Sequence, residues 1–301
     1  MDVTPDQDDA RWLVIGAPME GSGAGRGEVD APKVLREYGL VTHLGAVDFG
    51  DLPVRLTDSE RDPETGVIAY QQLIAGTEVI ADAVAAALHA NWRPLVLGGC
   101  CSVLPGALSG LRRFAGPPRL VFVDGHLDLF SPQTTSTGEL AGMALSAVTG
   151  YAPELHAVAT RQPLVEAGDV LAIGDADLVR RRELGGVEAA TALPDARVVD
   201  AAAVRSAGAV TITRRIEALL AADEMPTWLH LDVDVLDGSV MPAVSFPVSG
   251  GLTWDELGAV LAAVAGAGEL LGVSLAGLNV HRDPGYQASQ RLVGLLADVL
   301  T

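Results

Sequence analysis

Cysteine is scarce in this sequence: Cys100 and Cys101, which are adjacent, are the only two among 301 residues. Two neighbouring cysteines cannot form the disulfide framework of many secreted proteins, and a disulfide between them would be strained. We therefore expect reduced thiols and a cytoplasmic location. Because the pair follows an apolar run, in LVLGGCCS, it is buried filler, a redox pair or an altered part of an active site.

Long apolar runs are also missing. The nearest candidate, LGAVLAAVAGAGELLGV, is interrupted by Glu269 and falls short of the ~18 uninterrupted apolar residues of a membrane-spanning helix. The first residues, MDVTPDQDDARW, are acidic and polar and lack the basic and apolar regions of a signal peptide. The first feature predicts that no helix spans a membrane, and the second predicts that the chain has no ordinary signal peptide.

Basic residues are few. The chain has 20 Lys and Arg against 39 Asp and Glu, a formal net charge of −19, and Lys33 is its only lysine. Such a charge repels nucleic-acid backbones and anionic membrane surfaces. We therefore expect neither nucleic acid nor a membrane among the partners.

The sequence has no Pro/Ser-rich linker and no internal repeat, so we predict one domain over residues 1–301, with residues 1–10 flexible. Its length and its 49% hydrophobic content are sufficient for a substantial core.

Short runs rich in Val, Ile and Leu alternate with amphipathic segments. These runs are too continuously apolar for a sheet with one wet face, which favours a parallel sheet covered on both sides. The predicted fold class is therefore α/β, a three-layer α/β/α arrangement around a doubly wound, mainly parallel sheet. Helical spacing predicts a long helix over about residues 65–90, and Thr253 with Glu256 predicts a capping box at the start of another. The predicted strands are WLVIGAP, PLVLGG, RLVFVDG, VLAIGD, ARVVDA, TWLHLDVDVLD and LLGVSLAGL.

Chemically unusual residues follow two of these strands. Asp124, His126 and Asp128 alternate in VFVDGHLDLF, and Asp232 and Asp234 alternate in LHLDVDVLDG. Alternate side chains of an extended chain share one face, so ligand-type groups converge there. Clustered buried carboxylates are costly unless a divalent cation neutralises them. Asp with His suits Mn²⁺, and Zn²⁺ or Fe²⁺ less well; alternatively, these aspartates merely cap turns or helix starts.

Several segments, in order along the chain, resemble the ureohydrolases, the family of arginase, agmatinase and formimidoylglutamase. IGAPMEGSGAGRGEVDAPKVLREYGL is similar to the family's opening strand, glycine loop and GPxxLRxxGL helix, and GGCCS stands in the place of GGDHS. DGHLD stands in the place of DAHxD, and LDVDVLDGSVMPAVSFPVSGGLTWDEL is similar to DxDxxDPxxxPxxxTPxxGGLTxxE. SPQTTSTGELAGM resembles the arginase version of the substrate loop. The resemblance runs nearly end to end and implies an arginase-like fold.

The resemblance implies a binuclear Mn²⁺ site. Five of its six ligand positions match Asp124, His126, Asp128, Asp232 and Asp234, with Asp124 and Asp232 bridging the two ions. It also implies hydrolysis of a linear C–N bond, in an amidino, hydroxyguanidino or related small-molecule substrate, by a metal-activated water that Asp128 orients. A homo-oligomer, a trimer or hexamer, is the family's usual assembly.

The sixth ligand position, a histidine in the family, is Cys101 here. A neutral thiol is a poor ligand, and a thiolate favours Zn²⁺ or Fe²⁺ over Mn²⁺. We therefore expect one secure ion, held by Asp124, His126, Asp232 and Asp234, and a second that is weak or absent. The related N-hydroxyarginine hydrolases also carry a cysteine here, so the change is compatible with catalysis.

Other roles for the two cysteines stay open. Besides weak ligation or packing beside the metal, Cys101 is either a nucleophile or inert filler. A nucleophile needs a lowered thiol pKa, which dense carboxylates oppose. Cys100 is expected to be an ordinary core residue.

Three departures concern the substrate. The family's proton-shuttle histidine aligns with Ala141, and the acid that holds a guanidinium aligns with Gly277. Loss of that acid removes the bidentate partner of an arginine-like group, so ordinary L-arginine hydrolysis is not expected. Phe130 replaces an asparagine of the arginase loop, while Thr135 and Thr137 keep hydroxyls that can meet a substrate carboxylate.

Three further residues are candidates for the site. His230 precedes Asp232 at strand spacing and is a proton-transfer group, a metal ligand or a buried imidazole. His281 follows Gly277 and is a substrate-binding residue or an ordinary loop histidine. Asp177 lies near the family's acidic contact to the substrate amine.

Two functions follow from these patterns. The first is a metal-dependent hydrolase with an unusual substrate, and the second is a pseudoenzyme that acts as a binding or oligomerising subunit. The five retained ligand positions favour the first, because a protein without metal has no need for such clustered charge. The changes at Cys101, Ala141 and Gly277 favour the second. We adopt the hydrolase as the prediction.

Overall fold

The computed structural model describes residues 11–159 and 163–301. The expected flexibility of residues 1–10 concerns a segment outside these ranges. Within them the chain forms an eight-stranded sheet in which every strand pairing is parallel, in the order β2-β1-β3-β8-β7-β4-β5-β6. The strands are β1 (Trp12–Ala17), β2 (Val47–Asp51), β3 (Arg93–Gly98), β4 (Arg119–Val123), β5 (Val170–Ile173), β6 (Arg197–Val199), β7 (Thr227–Asp232) and β8 (Leu270–Ala276).

Each of the seven predicted runs overlaps one of these strands. The exception is β2, VDFGD, which lies at the edge of the sheet and is mostly exposed. Its polar sequence carries no signal of burial on both faces, so the pattern that identified the others missed it.

Two separate apolar cores cover the two faces of the sheet. Neighbouring strand residues contribute to opposite cores: Ile15 and Val96 to one, Val14 and Leu95 to the other. This alternation is what a strand buried on both faces requires, because successive side chains point to opposite sides. The predicted three-layer α/β/α fold is confirmed.

Helices form the two outer layers. Side chains of α3, α4 and α5 join one core, and those of α1, α2, α8, α9, α10 and α11 join the other. No helix in the described ranges combines the length and the apolar content that a bilayer crossing requires. The helices are α1 (Ala31–Glu37), α2 (Leu40–His43), α3 (Tyr70–His89), α4 (Leu104–Ala115), α5 (Ala144–Thr149), α6 (Leu178–Glu183), α7 (Ala189–Ala192), α8 (Ala201–Ala207), α9 (Ala209–Leu220), α10 (Trp254–Gly266) and α11 (Gln287–Leu300).

Two predicted helix starts have different outcomes. The helix predicted over residues 65–90 begins only at Tyr70, because Ala69 has a left-handed φ of +52°. The capping box of α10 is confirmed. Thr253 Oγ1 accepts the backbone N–H of Glu256 over 3.2 Å, and Glu256 Oε2 accepts that of Thr253 over 2.8 Å.

Candidate metal centre

The carboxyl ends of four neighbouring strands carry the candidate residues. Strand β3 leads toward Cys101, β4 leads into Asp124, β7 ends at Asp232 and β8 leads into Gly277. These strands are parallel neighbours in the order β3-β8-β7-β4, so their ends meet at one edge of the sheet. Ligands of open α/β sheets bind outside this edge.

The alternation of Asp124, His126 and Asp128 predicted a strand that continues through these residues. The segment after β4 is not a strand. The strand ends at Val123, and Asp128 has a left-handed φ of +48°. A tight loop brings the three side chains to one cavity instead, and in it the N–H of His126 donates to Asp124 Oδ1 over 2.7 Å. The prediction of a shared strand face was therefore wrong.

The segment after β7 turns as well. Asp232 is the last strand residue, and Asp234 lies in a 3₁₀ turn over Val233–Val235, where its N–H donates to Asp232 Oδ1 over 2.8 Å. His126 Nδ1 lies 3.1 Å from Asp234 Oδ2, and the N–H of Gly125 donates to Asp234 Oδ1 over 3.3 Å. The loops after β4 and β7 are thus held against each other by the candidate ligands themselves.

Two groups of ligand atoms are close enough to hold a cation. The first contains Asp124, His126 and Asp234, and the second contains Asp124, Cys101 and His230. Within each group, one ligand atom per residue lies within 4.8 Å of the others. Asp124 belongs to both groups, so its carboxylate could contribute to a cation at either one.

The buried carboxylates of this region suit a metal. Burial, and then the charge of a neighbouring aspartate, raises the pKa of Asp124 to about 7 and the pKa values of Asp128 and Asp232 well above their ordinary range. Asp128 Oδ2 has no hydrogen-bond partner among the described residues. A divalent cation would offset the repulsion between these carboxylates, so these donors fit the metal that the sequence predicts.

His126 is held among these charges. Burial would lower the pKa of His126, but the carboxylates of Asp234 and Asp124 outweigh burial and raise it. Metal ligation requires the neutral imidazole, so a cation bound there would compete with a proton on His126.

Cys101 faces the carboxylates. Its Sγ lies 2.9 Å from Asp232 Oδ2 and 3.6 Å from Asp124 Oδ2. Burial, followed by the charges of Asp232, Asp128 and Asp124, raises the pKa of this thiol. A nucleophilic cysteine needs the opposite environment, so the surroundings oppose that alternative.

Cys100 makes different contacts. Its Sγ accepts the N–H of Gly21 over 3.2 Å and donates to Ser102 Oγ over 3.2 Å. Burial raises the pKa of Cys100 to about 12. Both cysteines are free thiols. Cys100 is buried but borders the same cavity as Cys101, so its ordinary core role stays a prediction.

His230 is completely buried within β7. Its Nδ1 lies 2.7 Å from Ser274 Oγ, and its ring stacks on Phe122 with 5.3 Å between centroids. Its Nε2 has no hydrogen-bond partner in the part of the chain that the structure describes. Burial lowers the pKa of His230 to about 3, so the imidazole is neutral.

A cavity of about 140 Å³ opens onto the carboxylates. Thr135, Thr137 and Asp177, the predicted substrate-binding residues, line it. Thr135 Oγ1 accepts the N–H of Gly138 over 3.1 Å, and Thr137 Oγ1 accepts that of Glu139 over 3.2 Å, which shapes the loop. Burial raises the pKa of Asp177.

Two predicted site residues do not line this cavity. His281 is 60% exposed, and its Nε2 lies 3.1 Å from Asp30 Oδ2. This position gives its predicted substrate contact no support. His230 is buried in the sheet and does not itself line the cavity, but a ring nitrogen lies within 4.8 Å of Cys101 and Asp124, which do.

The positions that depart from the family pattern do line the cavity. Ala141 and Phe130 present apolar side chains to it. Gly277 has a left-handed φ of +83°, and a Cβ atom placed there would lie 2.0 Å from Asp232 Oδ1. An acidic side chain at this position has no room while Asp232 keeps its place.

The cavity wall carries a charged cluster that was not predicted from the sequence. Arg26 Nε donates to Glu20 Oε1 over 2.8 Å, and Arg26 also pairs with Glu139. Its guanidinium lies over the ring of Phe246, 5.4 Å from the centroid. The charged residues of GSGAGRGE could have indicated this cluster, but the segment was interpreted only as a glycine loop. Further wall residues missed in this way are Glu28, Arg180 and Ser245.

Comparisons with known proteins agree with this architecture. Residues 10–300 match the model of the Arginase family. Arginase-1 of Homo sapiens is 30% identical over 254 residues, which are 81% of this chain and 77% of that protein.

Solved structures show the same fold. An arginase from Bacillus caldovelox superposes with a TM-score of 0.83 at 24% identity, covering 97% of this chain and 98% of that chain. Proclavaminate amidino hydrolase from Streptomyces clavuligerus gives a TM-score of 0.69 at 21% identity, covering 97% and 91% of the two chains.

Proposed function

Because this chain belongs to the arginase family, we propose that it hydrolyses a linear C–N bond in an amidino, hydroxyguanidino or related small molecule, with a metal ion as cofactor. The observation that carries the proposal is the pair of ligand groups that share Asp124 beside the cavity. The absence of an acidic side chain at Gly277 supports a substrate other than arginine.

We assign the metal to the carboxylates and imidazole that follow β4 and β7: Asp124, His126, Asp128, Asp232 and Asp234. Mn²⁺ is proposed for the group of Asp124, His126 and Asp234, because oxygen donors with one imidazole suit it. When bound, such a cation polarises the substrate and lowers the pKa of water.

Asp128 is the proposed catalytic carboxylate. Its unpartnered Oδ2 can accept a hydrogen bond from the attacking water and take its proton. Water adds to the trigonal carbon, the C–N bond breaks, and the leaving nitrogen receives that proton. Because Ala141 cannot transfer protons, Asp128 performs both transfers in this proposal.

The cavity wall defines the proposed substrate. Thr135 and Thr137 offer hydroxyls to a carboxylate, and Asp177 offers an acceptor to an amine. No carboxylate can replace Gly277 without moving Asp232, so a guanidinium gripped at that point is not the expected ligand. We propose a small amino-acid-like molecule whose amidine differs from that of arginine.

The test is a substrate panel on the Mn²⁺-loaded chain, with arginine, N-hydroxyarginine, agmatine and formimidoylglutamate, and with release of urea, hydroxyurea, ammonia or formamide as the readout. Hydrolysis of at least one non-arginine amidine, abolished by a chelator and restored by Mn²⁺, is expected. Full metal occupancy without any product from a broad amidine panel would contradict the proposal.

A second candidate is a non-catalytic binding or oligomerising subunit, which the apolar Ala141 at the cavity favours. It predicts ligand binding by calorimetry without turnover.

We also propose a homo-oligomer, trimeric or hexameric by analogy with the family; light scattering in solution measures its size directly.

A further inference from the structure

We propose that Cys101, His230 and Asp124 form a second cation site whose sulfur, nitrogen and oxygen donors select Zn²⁺ over Mn²⁺. His230 is a ligand that the ureohydrolase pattern does not assign. The proposal rests on the proposed function in placing a first cation beside Asp124.

The unpartnered ring nitrogen of His230 is the first observation. Its side chain is 0% exposed, and Nε2 makes no hydrogen bond to any residue in the described ranges. A ring nitrogen of His230 lies within 4.8 Å of Cys101 Sγ and of an Asp124 oxygen. Because Nδ1 is engaged by Ser274, Nε2 is the nitrogen available to these two residues.

The neighbours of His230 fix its ring for ligation. Ser274 Oγ accepts the indole N–H of Trp228 over 3.0 Å, which uses one of its two lone pairs. The second lone pair can accept Nδ1–H of His230, which leaves the Nε2 lone pair free to bind a cation. A metal-bound histidine usually donates the N–H of its other ring nitrogen, the one that does not bind the metal, to a polar partner. Stacking on Phe122 holds the plane of the ring.

The thiol determines which ion is preferred. Cys101 Sγ contacts both Asp124 and Asp232, so a cation bound to the sulfur also meets carboxylate oxygen. On binding, the S–H proton passes to solvent and the thiolate becomes the ligand, with no change of oxidation state. One thiolate, one imidazole and one carboxylate are the donor types of tetrahedral Zn²⁺ sites, whereas Mn²⁺ favours oxygen donors.

The first experiment measures bound Zn²⁺ in the full chain with Mn²⁺ present. Wild type should bind one Zn²⁺ per chain, and Co²⁺ in its place should show a sulfur-to-metal charge-transfer band.

His230→Phe keeps the ring stack but lacks Nε2, so Zn²⁺ affinity should fall by more than the ~10–100-fold lost when an outer-shell partner is removed. Cys101→Ser should abolish the band. The matched control is Cys100→Ser, because Cys100 bonds Gly21 and Ser102 instead of the carboxylates; its band and stoichiometry should match wild type.

A second measurement needs no variant and keeps the test decisive if His230→Phe fails to fold. X-ray absorption at the zinc edge of wild type should show one sulfur at about 2.3 Å together with imidazole scattering at about 2.0–2.1 Å. A zinc shell of oxygen and a single histidine without sulfur would overturn the proposal, as would unchanged Zn²⁺ binding in folded His230→Phe.

The two proposals fail separately. Sulfur-bound Zn²⁺ in a chain that hydrolyses no amidine keeps this site and contradicts the proposed function. Amidine hydrolysis with Mn²⁺ alone, in a chain whose Zn²⁺ never contacts sulfur, keeps the function and overturns this site.

Discussion

Gly277 and Asp232 occupy adjoining space: a Cβ atom on Gly277 would lie 2.0 Å from Asp232 Oδ1. The glycine at the end of β8 therefore makes room for a carboxylate at the end of β7. Gly277 stands where the family has a substrate-binding acid, and its small size determines the space available to Asp232, a candidate metal ligand.

Replacing Gly277 should weaken metal binding. In Gly277→Ala the new methyl displaces the Asp232 carboxylate, and we expect Mn²⁺ affinity to fall by about 10–100-fold, as measured by calorimetry. Gly285→Ala is the control, because Gly285 has a similar φ of +82° but no atom within 4 Å of its Cβ position. Equal loss of affinity in both variants would assign the effect to backbone strain and contradict the steric explanation.

The pair of Asp175 and Arg181 should stabilise the wall of the cavity. Two hydrogen bonds of 2.9 Å join these buried side chains and hold α6, which carries Arg180. Asp175→Asn leaves a buried guanidinium without its counter-charge, so unfolding in urea should become easier by about 3–5 kcal/mol. Asp175→Asn combined with Arg181→Met should be more stable than the single variant. A double variant that loses the sum of both single effects would contradict this explanation.

Acid should remove the stabilisation that Glu20 provides. Burial would raise the pKa of Glu20, but hydrogen bonds from Ser22 and the charge of Arg26 outweigh it and lower the pKa. A carboxylate with a lowered folded pKa stabilises above its unfolded pKa, ordinarily 4.5, and this contribution disappears as the pH falls through the folded value.

The measurement is the unfolding free energy of wild type and Glu20→Gln in urea as a function of pH. The difference between them should be largest near neutral pH and should shrink below the unfolded pKa. Glu37→Gln serves as the control, since Glu37 is 58% exposed in its pair with Lys33 and should contribute little at any pH. A pH-independent difference for Glu20→Gln would count against this assignment.

The capping box should contribute to the stability of α10. Thr253→Ala removes the acceptor for the N–H of Glu256 and should lower the unfolding free energy by about 0.5–2 kcal/mol. Thr253→Ser keeps the hydroxyl and should remain within a few tenths of a kcal/mol of wild type. Thermal and urea unfolding check both variants, and an equal loss in both would show that the hydroxyl is not responsible.

The fold was predictable wherever burial leaves a mark on the sequence. Strands buried on both faces, such as β3 and β7, read as continuous apolar runs. The edge strand β2 is exposed and polar, so nothing local distinguishes it from a loop. The start of α3 was misplaced because the left-handed φ of Ala69 is set by packing and not by residue type.

The candidate site was predictable in its residues but not in its geometry. Asp124 and Asp232 stand out because carboxylates rarely end apolar strands without a reason. The loop at Asp128 depends on a positive φ, which an aspartate in the sequence does not predict. The contact between Arg26 and Glu139 joins segments 113 residues apart, so only the folded chain reveals it.

The central claim, that the carboxylates at these strand ends serve a metal-dependent hydrolysis, is tested most directly by titrating the metal-stripped chain with Mn²⁺ while recording bound metal and amidine hydrolysis together. Activity should rise in proportion to the first bound ion in wild type. Asp124→Asn, which alters the residue common to both ligand groups, should neither bind that ion nor turn over. Hydrolysis that persists without bound metal, or Asp124→Asn with wild-type occupancy and rate, would contradict the account.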